Sequence, residues 1–207
     1  MLRRMDLADH DGELMLRYRS GDLAAFEMLY ARHKGPLYRY LLRQVRDPAA
    51  ANDLFQDVWS RVIAARTRYE ARAKFATFLY HIAHHCTIDH HRRRRTASII
   101  AAQGDACGQT ELQSPEYERP DRIAEYGEQQ SALLAALAAL PAEQREAFLL
   151  REEGGLGVEE IARVMSVGVE TAKSRLRYAV RKLRRSLSDA PARSSVEAPL
   201  AARMRAW

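Results

Sequence analysis

The sequence predicts an all-α protein of two small helical domains joined by a flexible acidic linker, the second domain a helix-turn-helix. Three observations carry that expectation. From Gly12 to about Arg95 apolar residues recur at helical spacing, without the alternation that a strand would show. Gly104, Gly108, Pro115 and Pro120 then interrupt any long period. Near the end, only a short turn around Ser166 to Gly168 separates two helical patterns, a layout that suggests helix-turn-helix.

Taken in order, Asp22 and Asp47 are placed to cap helices, and Pro36 and Pro48 suit first-turn positions. The third helix of this half sets Ala51, Leu54, Phe55, Val58 and Val62 on one face. Asp53, Gln56, Asp57 and Ser60 lie away from it as an acidic and polar surface. A fourth helix begins near Phe75, turns Phe75, Phe78, Leu79, Ile82 and Cys86 inward, and ends in His90, His91 and the run Arg92 to Arg95. Between Thr96 and Gln130 seven carboxylates face two arginines, the composition of a linker. A helix resumes around Asp121 and runs through the Ala-rich Leu133 to Leu140. Pro141 opens the next helix, and Gly154 and Gly155 close it. The expected boundaries are a first domain over 1–95, a linker over 96–120, a second domain over 121–187 and a disordered tail over 188–207.

The chain has 207 residues, 47% of them hydrophobic, which is enough to bury a core. Its formal charge of +6 favours an anionic partner without choosing between nucleic acid and membrane. No apolar run reaches the length of a bilayer span, and the start, MLRRMDLADHDGELM, lacks the apolar centre of a secretion signal. The expectation is a cytoplasmic protein with no membrane insertion. Cys86 and Cys107 are too few for a disulfide framework, and Cys86 on an apolar face reads as a small buried thiol.

The last helix carries the strongest chemical signal. Ala172, Leu176, Ala179 and Leu183 recur on one side, with Val180 at the margin. The other side presents Thr171, Ser174, Arg177, Tyr178, Arg181 and Arg185, flanked by Lys173 and Arg175. Seven Lys or Arg and no carboxylate fall between Thr171 and Arg185, so a duplex would meet donors for phosphates and base edges without repulsion.

Two basic helical modules in this order resemble the extracytoplasmic-function sigma factors of bacterial RNA polymerase. NDLFQDVWSRV resembles the family helix that docks on the polymerase clamp, and FATFLYHIAHHCTIDHHRR the promoter-melting segment. LPAEQREAFLLREEGGLGVEEIARVMSVGVETAKSRLRYAVRKLR is similar to the family's fourth conserved region throughout. The resemblance implies a subunit that binds core RNA polymerase and recognises promoter DNA, as −35 duplex and as the melted single strand of the −10 element. It implies Asp53, Gln56, Asp57 and neighbouring Trp59 as polymerase contacts. For the −10 strand it implies the loop Arg68 to Lys74 and the helix behind it. There Tyr69 and Phe75 are the available aromatics, Arg72, Lys74, Arg92 and Arg93 the phosphate holders, and His84 and His85 lie where base preference is set. Phe75 also fits the apolar stripe. For the −35 element it implies Thr171, Ser174, Arg177 and Tyr178 toward base edges and Lys173, Arg175 and Arg181 toward the backbone. Many members also bind an anti-sigma protein wedged between their modules, a further partner that the resemblance brings with it.

Three departures stand out. His85 occupies a position where the family commonly has Asn, Asn52 stands where an acidic residue often precedes the clamp-binding Asp, and Arg177 and Tyr178 reverse the usual aromatic-then-basic order. Five histidines, His81, His84, His85, His90 and His91, fall within eleven residues. They read most simply as polar substitution on a DNA-facing helix; a pH-sensitive surface and a metal pair at His81 and His85 are the alternatives. No cofactor is expected. Nothing in the chain supplies a phosphate-binding glycine loop, a nucleophile with its base or a placed carboxylate pair, so no chemistry of its own is expected either. Two rival readings remain at this point: a dimeric helix-turn-helix regulator on a palindrome, and a helical metal-dependent hydrolase built on the histidines.

Overall fold

A computed structural model of the chain describes residues 4–102 and 123–188, with side-chain surroundings for 10–96 and 131–187. The expected linker core, Cys107 and the expected tail lie outside the described residues. Within them the chain forms eight α-helices and one 3-10 turn, and no strand. They are α1 (Arg4–Arg19), α2 (Leu23–Val45), α3 (Pro48–Ala64), a 3-10 turn (Arg66–Arg68), α4 (Phe75–Ala102), α5 (Ile123–Ala138), α6 (Ala142–Glu152), α7 (Val158–Val164) and α8 (Val169–Ser188).

The helix starts follow local chemistry. Asp22 caps α2 by accepting from the Ala25 amide at 3.2 Å, and Asp47 caps α3 through the Ala49 and Ala50 amides at 3.0 and 3.4 Å. Pro48 takes the first turn of α3, where its missing N–H costs nothing. Pro36 does not behave this way. It lies inside α2, which runs through it from Leu23 to Val45. Ala25 and Leu29 before it and Leu37, Tyr40 and Leu41 after it are all fully buried, so burial on both sides outweighs one missing backbone bond. Helix α4 likewise continues past the arginine run to Ala102, because Thr96 to Ala102 contains no glycine or proline to stop it.

Helices α1 to α4 enclose one core. Leu14, Met15 and Tyr18 of α1 pack on the apolar stripe of α2, with Ala51, Leu54, Val58 and Val62 from α3 and Phe75, Leu79, Ala83 and Cys86 from α4. Asp11, largely buried, receives Arg32 and His33 and ties α1 to α2. In the second group, Leu137 and Leu140 near the end of α5, Phe148, Leu149 and Leu150 of α6, Ile161 and Val164 of α7, and the stripe of α8 share a core. Gly155 turns the chain at φ 63° after α6, and Ser166 at φ 53° makes the tight corner between α7 and α8. The Glu160 carboxylate reaches back to accept from the Gly157 amide at 2.7 Å and so closes the start of α7.

The two groups are not held apart. Helix α4 packs on α7, and α2 packs on α5 and α6, so the two cores are continuous. Nothing in the periodicity announces this contact.

Candidate nucleic-acid interface

Helix α8 is built as its pattern predicts. Ala172, Leu176, Ala179 and Leu183 are buried, Val180 sits at the margin, and Thr171, Lys173, Arg177, Tyr178, Arg181 and Arg185 are exposed. Ser174 and Arg175 are half-buried. Tyr178, 39% exposed, lies between two guanidinium groups, with Arg177 at 5.5 Å and Arg181 at 4.9 Å from its ring centre. The nearest carboxylate on the helix is Glu170 in the first turn, 3.6 Å from Lys173. The face therefore offers a row of charged donors around one aromatic, raised on a corner that leaves its leading end in solvent.

On α3, Asp53 and Gln56 are exposed, and Asp57 is half-exposed with Arg61 bridged to it at 3.0 Å. Trp59 departs from its expected role at this surface. It is only 5% exposed and packs against Tyr30, Phe26 and Phe55 with centroids 5.0, 5.7 and 6.3 Å away. One position beyond Val58, it extends the apolar stripe toward α2 and stiffens the helix that carries the acidic face. Cys86 is buried and free, as expected, and burial followed by the nearby Asp57 carboxylate pushes its thiol up to about 12.

Around the start of α4 the expectations divide. Phe75 is fully buried, the reading its place in the stripe favoured. Tyr69 is 4% exposed, packed edge-on against Phe78 at 5.1 Å, and burial raises its hydroxyl above the ordinary tyrosine value. Its ring is not open to a base in this arrangement. Arg72 is exposed beside Glu70, whereas Lys74 reaches Glu160 of α7 at 3.1 Å. His84 is buried, with Nδ1 2.5 Å from Glu146 Oε1 of α6. His85 is exposed, 3.3 Å from His81 between their Nε2 atoms, and Arg92 and Arg93 are exposed. Burial, then the neighbouring His85 and His84, holds the His81 imidazole below the usual histidine value. Among the described residues no three His, Cys, Asp or Glu side chains gather as a metal site.

Two sets of residues escaped the sequence reading. His81, His85, Ile88 and Arg92 form one exposed stripe along α4, a set that i, i+4, i+7, i+11 spacing alone could have found. The second is the row of carboxylates Glu146, Glu153 and Glu160 that meets Tyr40, Arg39, Arg43, His84 and Lys74 across the two groups. Its only trace in the sequence is a seven-residue spacing.

Known proteins give this geometry a context. The Sigma-70 region 2 family model matches residues 29–97, and the Sigma-70, region 4 model matches residues 130–183. The chain is 33% identical over 175 residues to the RNA polymerase sigma factor CarQ of Myxococcus xanthus, covering 84% of this chain and 96% of that protein. It is 30% identical over 175 residues to the ECF RNA polymerase sigma factor SigL of Mycobacterium tuberculosis, covering 82% and 93%. Among solved structures it is similar in fold to the sigma factor RpoE in complex with the anti-sigma factor NepR from Bartonella quintana, with TM-score 0.60 and 21% identity over 80% of this chain and 98% of that one. A like fold, TM-score 0.61 at 22% identity over 88% and 99%, occurs in CnrH in complex with the cytosolic domain of CnrY.

Proposed function

The chain belongs to the extracytoplasmic-function sigma factors of RNA polymerase, and from that premise we propose how its residues divide the work. As a member of this family it directs promoter-specific initiation of transcription, with core RNA polymerase and promoter DNA as its partners. Residues 1–95 form the domain that binds polymerase and handles the −10 element, 96–120 the linker, and 121–187 the domain that reads the −35 element. The tail over 188–207 has no assigned part. The work is done in the cytoplasm, where polymerase and DNA are, and consists of binding and strand separation without bond chemistry.

In this reading α8 enters the major groove. Thr171, Ser174, Arg177 and Tyr178 face base edges, while Lys173, Arg175 and Arg181 hold phosphates. Asp53, Gln56 and Asp57 meet basic groups on the polymerase, a pairing that supplies orientation and on-rate more than bulk affinity. Trp59 acts behind them as a positioning residue. On α4, His85, Arg92, Arg93 and Arg72 hold the melted strand, joined by Lys74 and His84 once their carboxylate partners withdraw, and Tyr69 supports the loop from beneath. An anti-sigma protein is a further expected partner. The relatives of like fold bound to NepR and CnrY support that expectation.

The observation that carries the reading is the exposed face of α8 from Thr171 to Arg185, which holds no carboxylate and is set behind a tight helix-helix corner. Transcription reconstituted with core polymerase tests it. Specific initiation at promoters selected by the holoenzyme is expected; no complex on gel filtration and no specific start at any promoter would refute it.

A further inference from the structure

Three carboxylates of the second helical group, seven residues apart, each reach into the first. Glu146 of α6 accepts from the Tyr40 hydroxyl at 3.0 Å and pairs with His84 Nδ1 at 2.5 Å. Glu153, at the end of α6, takes Arg39 at 2.8 Å and Arg43 as well. Glu160 of α7 takes Lys74 at 3.1 Å and Thr77 at 3.5 Å. The side chains of Glu153 and Glu160 are 8% and 11% exposed, so salt screens these pairs far less than it would on open surface. A methyl group on Gly154 would stand 3.1 Å from the Tyr80 ring of α4, which shows how closely the two groups meet there.

The placement is selective. It engages Lys74, just ahead of α4, and Thr77 and His84 within the first turns of that helix, while His85, Arg92 and Arg93 further along, Asp53 and Gln56 on α3 and the basic face of α8 stay exposed. We propose that Glu146, Glu153 and Glu160 form a latch that keeps the free protein closed, covering the leading part of the −10 strand face, at Lys74 and His84, while leaving the polymerase-binding and −35 faces open. Polymerase binding then comes first, and separation of the two groups uncovers the strand site afterwards. This inference rests on the reading of α4 as the strand-tracking face.

The test uses the full chain with Glu146→Gln and Glu153→Gln combined, because neither glutamate belongs to the proposed DNA or polymerase surface. Small-angle X-ray scattering reads closure without reference to DNA. A wild-type radius of gyration matching the closed form, and a larger one for the variant at unchanged helical content by circular dichroism, are expected. Since apparent affinity scales with the open fraction, the variant should bind the non-template −10 strand of a selected promoter about tenfold more tightly. A scrambled strand and −35 duplex should change no more than about twofold, because their sites are not covered. Tyr40→Phe, which removes a single hydroxyl, should move both readouts the same way by less. A wild-type chain already expanded, or a variant as compact as wild type, overturns the latch. Expansion with no gain in strand binding overturns its inhibitory role. In that case, replacing Arg92 and Arg93 by Ala in the holoenzyme shows where the fault lies. Lost strand binding keeps α4 as the strand face, and unchanged strand binding refutes the α4 reading itself.

Discussion

Helices α8 and α4 both carry runs of basic residues, yet the fold treats them differently. On α8 the row from Lys173 to Arg185 has solvent on its outer side, with a single carboxylate, Glu170, near its leading end. On α4 the basic and imidazole groups are split: His84 and, just ahead of the helix, Lys74 are held by glutamates of the other helical group, while His85, Arg92 and Arg93 remain open. A charged face can therefore be read from sequence only where nothing folds back over it. Where another element covers it, the same residues become part of an internal contact, with a different cost of removal.

Leu176→Ala empties a buried position beneath α8 and should cost about 2 to 5 kcal/mol by chemical denaturation. Both DNA affinities would then fall through loss of folded protein, and an unchanged midpoint would mean the stripe does not support the face. Tyr69→Ala should cost a comparable amount, about 3 to 5 kcal/mol, because a packed aromatic leaves a cavity. If stability instead stayed constant while strand binding alone collapsed, Tyr69 would be a stacking residue and not the buried support described above.

Smaller effects sharpen the contrast. Arg177→Ala should lose about 1 to 3 kcal/mol of discrimination at one base pair of the −35 element. Equal loss on matched and mismatched duplexes would remove Arg177 from the base-reading set. Arg181→Ala should weaken all duplexes alike and reduce the salt slope by about 1.

Acid should act both through the covered region and through the outer side of α4. Burial opposes ionisation of Glu160, but the Gly157 amide and Lys74 outweigh it and hold the carboxyl below the ordinary value of 4.5. A depressed carboxyl contributes stability above that value and loses it as pH falls through the folded one. His81 and His91 are held below 6.5 by partial burial and then by the neighbouring imidazoles, so the unfolded chain takes up protons first and stability already declines as pH drops past 6.5. Thermal melts from pH 8 downward should show a shallow loss beginning near 6.5 and a second loss below 4.5. Glu160→Gln should remove much of the second loss and leave the first intact.

Much of this was legible in the residues. The inward stripe of α8, the caps at Asp22 and Asp47, the acidic side of α3 and the buried Cys86 all follow from spacing and local hydrogen bonding, which act within a few residues. Pro36 and the end of α4 were not legible, since a proline is tolerated where apolar burial continues on both sides, and a charged run does not by itself end a helix. Trp59 and His84 required partners distant in sequence, and Tyr69 a loop that folds its ring back onto Phe78. Glu146 lies 62 residues beyond His84, and no periodicity reaches that far. The row of three glutamates shows the same limit: their spacing is visible, but their destination is a property of the fold.

That row also has a direction along the chain. Every side chain it holds in the other helical group lies upstream, between Arg39 and His84, while the glutamates come last, at 146 to 160. Synthesis delivers the amino-terminal half first, and domains fold as units in that order. A nascent chain thus carries Arg39, Arg43, Lys74 and His84 without their glutamate partners from the time α4 leaves the ribosome until the peptide beyond Glu160 has followed. The order in which the two halves are made therefore sets an interval in which the first half has nothing to close against.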